Sequence, residues 1–210
     1  MQPALEHNEQ DRTEFRDILT ANYRAKQLVF ADESHFNRLT LRRPYTWLRC
    51  GERACCYEFS FRGIKYSMLL ALSLDGILHL EVVENAVTGA DFCWFVEGLL
   101  LQMNEFPLPN LVLVIDNVSI HKVDGIWELV EDRGMCLLYL PLYSPDFNPI
   151  ELAFSTIKQW LHSNCDCVNC KLDSGEGRIF NIFWEAVHSV TVDQCYVSPL
   201  DCSGLRTYRL

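Results

Sequence analysis

Two apolar runs in this chain each end abruptly in an acid, and this pattern constrains the fold more than any other feature. Leu28-Val29-Phe30-Ala31 ends in Asp32, and Leu111-Val112-Leu113-Val114-Ile115 ends in Asp116. An apolar run without polar alternation suits a strand buried on both faces, as in a sheet covered by helices. Acids that close such strands collect at one edge of the sheet. A third candidate, Glu151, lies in Ser144-Pro145-Asp146-Phe147-Asn148-Pro149-Ile150-Glu151, with thirty-four residues between it and Asp116. Three converging carboxylates suit a hard divalent cation, because Mg²⁺ and Mn²⁺ prefer carboxylate oxygen. Such a centre points to phosphoryl transfer on a polynucleotide.

The rest of the chain supplies the other parts of an α/β domain. Phe15, Ile18, Leu19 and Tyr23 recur at helical spacing and predict a short helix within residues 1–26. Residues 27–32 form the first strand, and the irregular stretch 33–64 reads as a long loop or ribbon. Tyr66–Leu74 and Ile77–Glu84 flank Asp75-Gly76, which predicts a hairpin. Thr88, with Asp91 three residues on, is expected to cap a helix running to about Met103. A strand at 111–116, a helix at 124–133 stopped by Gly134, a strand at 135–140 and a helix from Pro149 to about His162 follow. Residues 164–177 read as a linker, and Ile179–Val190 as a final helix. A hairpin feeding later parallel strands predicts a mixed five-stranded sheet flanked by helices.

Composition excludes several classes. At 210 residues and 49% hydrophobic the chain can bury a sizeable core and is not disordered. No run of about 18 apolar residues offers a membrane span, and no basic flank with an apolar stretch marks a signal peptide. The ten cysteines are therefore expected as thiols in a protein that is not secreted. The net charge of −10 argues against a nucleic-acid partner, but its distribution does not. Between Arg38 and Tyr66 seven basic residues face two acids, a local balance of +5. Exposed charges are screened beyond roughly 8 Å at physiological salt, so local charge sets phosphate attraction.

Each motif also has a plain structural role. Asn148-Pro149-Ile150-Glu151 matches an N-cap, a first-turn Pro and a capping-box Glu. A capping carboxylate near the positive end of a helix stays ionised, so both roles are compatible. Asp116-Asn117 can simply begin a turn. Asp32 and Glu33 face opposite sides of a strand, and local pattern does not choose between them. His121 can orient a phosphate or be an ordinary structural histidine. Cys165-Asp166-Cys167-Val168-Asn169-Cys170 with His162 offers zinc-type donors, but the spacing is cramped for a tetrahedral site. There is no Walker-type glycine loop and no G-x-S-x-G elbow.

Three blocks in order, Ala31-Asp32-Glu33-Ser34, Asp116-Asn117-Val118-Ser119-Ile120-His121 and Tyr143-Ser144-Pro145-Asp146-Phe147-Asn148-Pro149-Ile150-Glu151, resemble the DDE transposase catalytic domain of the mariner superfamily. The resemblance covers roughly residues 27–163, leaving 1–26 as a linker or helix remnant and 164–210 as a C-terminal linker and helix. It implies an RNase H-like fold and a Mg²⁺- or Mn²⁺-dependent DNA endonuclease and strand transferase. Asp32, Asp116 and Glu151 take the family's three metal-binding acid positions, holding two ions, and Asp32 is thereby chosen over Glu33. Arg42, Arg43, Trp47 and Arg53, in the family's loop between the first two strands, become expected DNA contacts, together with His121. The implied partners are DNA, both transposon ends and target, and a second copy that pairs two ends, with no membrane. The expected location is nuclear in a eukaryote and otherwise cytoplasmic. An N-terminal helix-turn-helix recognition region, usual in the family, has no counterpart in these residues. Two rivals stand beside this reading: a catalytically silent, transposase-derived binding domain, and a metal-dependent phosphatase for small molecules.

Overall fold

In the computed structural model, residues 8–36, 49–51, 65–117, 125–165, 168 and 179–190 are described. Helix α1 (Glu9–Asn22) comes first, capped by Asn8, whose side chain accepts from the Gln10 amide. It is followed by strand β1 (Leu28–Phe36), the hairpin β2 (Tyr66–Ser73) and β3 (Gly76–Glu84), and helix α2 (Gly89–Leu100). Strand β4 (Val112–Ile115), helix α3 (Ile126–Glu131), strand β5 (Cys136–Tyr139), helix α4 (Ile150–Ser163) and helix α5 (Ile179–Val187) complete the order.

The five strands form one sheet in the order β3-β2-β1-β4-β5. The β1–β2 and β2–β3 pairs are antiparallel, whereas β1–β4 and β4–β5 are parallel. This is the mixed sheet expected from a hairpin feeding parallel strands. The hairpin itself turns at Leu74-Asp75, one residue earlier than Asp75-Gly76 suggests, and Gly76 opens β3 with φ +126°. Ser73 holds the turn by accepting from the Asp75 amide and donating to the Gly76 carbonyl.

Strand β1 runs to Phe36, four residues beyond the predicted end, because Glu33, Ser34, His35 and Phe36 continue the pairing with β2. The polar side chains there hide a strand from a reading based on apolar runs. Residues 37–48 and 52–64 of the expected loop or ribbon lie outside the described residues.

Alternate side chains divide the sheet into two packed faces. Leu28, Phe30, Met68, Leu70, Val112 and Val114 join one core, with Phe15 and Leu19 of α1, Phe154 and Ile157 of α4, and Phe183 of α5. Val29, Ala31, Leu69, Leu113 and Ile115 join the other, with Phe92, Phe95 and Leu99 of α2 and Val130 of α3. Both faces of β4 are covered and its four residues are fully buried, which is why its sequence lacks alternation. On the helices the buried positions follow the 3.6-residue period: Phe92, Phe95, Val96, Leu99 and Leu100 line α2. Gly134 supplies the predicted stop after α3, at φ +71° and with its amide bonded to the Glu131 carbonyl. Among the described residues, no helix is long and apolar enough to cross a membrane.

Candidate active site

The register between β1 and β4 brings two of the candidate acids together. Leu28 pairs with Val112 and Ala31 with Ile115, so Asp32 and Asp116 directly follow the last paired residues, Asp32 within β1 and Asp116 just past the end of β4. Both acids also share a face. Asp32 has the parity of Leu28 and Phe30, and Asp116 that of Val112 and Val114, which all point toward α1, α4 and α5. Glu33 has the opposite parity, and its Oε2 is buried without a hydrogen-bond partner. Strand geometry therefore separates Asp32 from Glu33, a choice the local sequence pattern left open.

The Asp32 carboxylate is only 9% exposed, and both of its oxygens accept hydrogen bonds. The Glu33 backbone amide donates to Oδ1 at 2.7 Å, and the Asn148 side-chain amide donates to Oδ2 at 2.8 Å. A buried carboxylate needs such donors, since an unpaired charge out of water is costly. Asp116 is half-buried, and the Asn117 Oδ1 next to it is buried with no hydrogen-bond partner.

Asn148 is the residue that sequence reasoning misread. It was expected as the cap of a helix opening at Pro149, reciprocated by Glu151. Its Oδ1 does accept from the Ile150 amide, at a long 3.4 Å, but its amide group reaches back to Asp32. The link spans 116 residues, and no local spacing announces it. Glu151 lies three residues on, in the first turn of α4, with its side chain exposed. The start of its helix is tied to Asp32 through Asn148. Among the described residues, no three His, Cys, Asp or Glu side chains already sit close enough together to hold a metal ion.

The loop ahead of α4 is fastened from the far side. A 3-10 turn at Pro145–Phe147 links β5 to α4, closed by Phe147 N to Ser144 O and Asn148 N to Pro145 O. Arg12 of α1 grips it with a forked pair to Asp146, at 2.9 Å and 2.6 Å. Exposed Leu142, Tyr143 and Leu152 flank this edge. The other expected DNA contacts, Arg42, Arg43, Trp47, Arg53 and His121, lie outside the described residues, as do Cys167 and Cys170.

With this geometry in place, the comparisons with known proteins are direct. The sequence profile of the DDE superfamily endonuclease family matches residues 27–169. No curated protein matches the sequence. Among solved structures, a Mos1 transposase paired-end complex with left transposon end superposes with a TM-score of 0.60 at 18% identity, over 96% of this chain and 65% of that one. The catalytic domain of Mos1 mariner transposase superposes with a TM-score of 0.55 at 16% identity, over 93% of this chain and 94% of that one. The Mos1 mariner paired end complex with Mn gives 0.58 at 16% identity, over 96% and 67%. These identities carry the fold, and the fold is the RNase H-like one that the three sequence blocks imply. The chain spans 65% of the length of the transposase in the first of these complexes.

Proposed function

We propose that this chain, which belongs to the DDE superfamily of endonucleases, is a mariner-type transposase catalytic domain that cleaves DNA and joins the freed end to a target. The observation that supports the reading is that Asp32 and Asp116 directly follow the last paired residues of β1 and β4, with Asn148 tying the start of the Glu151 helix to Asp32.

The donor set fits a hard divalent cation. Asp32, Asp116 and Glu151 offer only carboxylate oxygen, and Glu151 is exposed and free to turn toward the two strand-end acids. In this reading the three carboxylates hold two Mg²⁺ or Mn²⁺ ions. When bound, such ions lower the pKa of an attacking water or 3′-hydroxyl and offset the charge that develops on the phosphate. The chain's own part is positional. The Glu33 amide and the Asn148 side chain fix the direction of the Asp32 carboxylate before any ligand arrives. The buried, paired residues of β1 and β4 lead directly into Asp32 and Asp116, and α4 supplies Glu151 from its first turn. Water attack nicks a strand, and attack by the resulting 3′-hydroxyl joins it to a target, so no side chain need form a covalent bond.

The basic segment around Arg42, Arg43, Trp47 and Arg53, with His121, is the proposed DNA contact, and two copies paired on two ends are the proposed assembly. The substrate class is tested by competition. Duplex DNA should suppress any Mn²⁺-dependent hydrolysis of p-nitrophenyl phosphate, and supercoiled plasmid should be nicked far faster than that small ester is hydrolysed. Brisk hydrolysis of the small ester, unaffected by duplex DNA, would favour a phosphatase.

A further inference from the structure

Helix α1 lies on the sheet face that carries Asp32 and Asp116, and it contributes more than apolar cover. Its Arg12 is buried, 8% exposed, whereas Arg16 one turn on is half-buried and lies farther from the same turn, 5.6 Å from the Phe147 ring. Both terminal nitrogens of Arg12 bind Asp146, one on each carboxylate oxygen. The guanidinium also lies over the Phe147 ring, 4.2 Å from its centroid, and Phe15 of the same helix stacks on that ring at 5.9 Å. Asp146 and Phe147 belong to the 3-10 turn whose next residue, Asn148, donates to Asp32. One short turn therefore connects the α1 clamp to Asp32 within β1.

A surface ion pair would contribute little and would need no burial. The forked geometry and the stacked ring together fix both the position and the tilt of the turn, and a planar guanidinium can do this where an ammonium cannot. We propose that Arg12 is a positioning residue. By clamping Asp146 and Phe147 it holds Asn148 against Asp32 and so sets the affinity of the acid edge for divalent cations. This inference rests on the reading of Asp32 as a metal ligand given above.

The test is Mn²⁺ binding by the full 210-residue chain, measured by titration calorimetry beside thermal melting. Arg12→Lys keeps the charge and loses the fork, and should weaken Mn²⁺ binding about tenfold, within the range for residues that orient ligands. Asp146→Asn, at a half-exposed side chain, should do the same without threatening the fold. In an Asn148→Ala background neither substitution should weaken binding further, because the clamp acts through Asn148. Unchanged Mn²⁺ affinity in folded Arg12→Lys and Asp146→Asn overturns the proposal, as does a full additional loss in the Asn148→Ala background. If Asp116→Asn leaves Mn²⁺ affinity untouched, the metal reading itself has failed, and the inference falls with it by a distinguishable result.

Discussion

Asn148 donates its side-chain amide to Asp32 Oδ2 at 2.8 Å, joining the start of α4 to the end of the apolar stretch of β1. The bond gives a buried carboxylate a donor, beside the Glu33 amide, and helps set its direction. Truncating Asn148 removes that donor. Asn148→Ala should lower plasmid nicking about 10–100-fold, the usual cost of losing a residue that orients a ligand. It should also destabilise the fold by about 1–3 kcal/mol through the under-satisfied buried acceptor. Nicking rates and urea denaturation of the same preparation check both figures.

The N-terminus of α2 titrates. The Thr88 hydroxyl, and then the Thr88 backbone amide, hold the Asp91 carboxyl below its usual pKa. A depressed carboxyl stabilises the folded state above the unfolded carboxyl pKa, near 4, and that contribution is lost as pH falls through the lowered folded value. The Asp91 carboxyl is little buried, so with solvent screening Asp91→Asn should cost only about 0.3–0.5 kcal/mol at pH 7. The difference from the parent should close as acid protonates Asp91. Melting curves of both proteins across pH 2–7 show whether the gap closes.

Gly98 sits on α2 where an added Cβ would lie 2.8 Å from His79 Nε2. A helical Gly→Ala exchange ordinarily gains about 1 kcal/mol. Here His79 cannot move away cheaply, since Gln102 contacts its Nδ1 at 3.0 Å and Glu81 faces its Nε2 at 3.5 Å. Gly98→Ala should therefore destabilise the protein, and His79→Ala in the same chain should uncover the helix gain. A thermal-shift series on the parent, both single variants and the double variant separates these signs.

Much of the architecture was legible because burial imposes period. The unbroken apolar run 111–115 announces a strand covered on both faces, and β4 is that strand. Thr88 and Asp91 announce a capping box, which forms. Asp116 was legible as the residue that closes β4, whereas Asp32 closes only the apolar stretch of β1, which continues to Phe36. The end of β1 was hidden because Glu33, Ser34 and His35 are polar and break the apolar run, although they pair with β2. Of the apolar residues at helical spacing in α1, Phe15 and Leu19 are buried whereas Ile18 is 38% exposed. Arg12–Asp146 and Asn148–Asp32 were out of reach for a simple reason: their partners lie 134 and 116 residues apart. Polar contacts at such separations leave no spacing to read.

The most direct test of the central claim is nicking of supercoiled plasmid by the purified chain with Mg²⁺ or Mn²⁺, beside Asp116→Asn and Glu151→Ala. The account predicts metal-dependent nicking by the parent chain and its loss in both variants, with melting temperatures and circular dichroism retained. Substantial metal-dependent nicking by folded Asp116→Asn would contradict it.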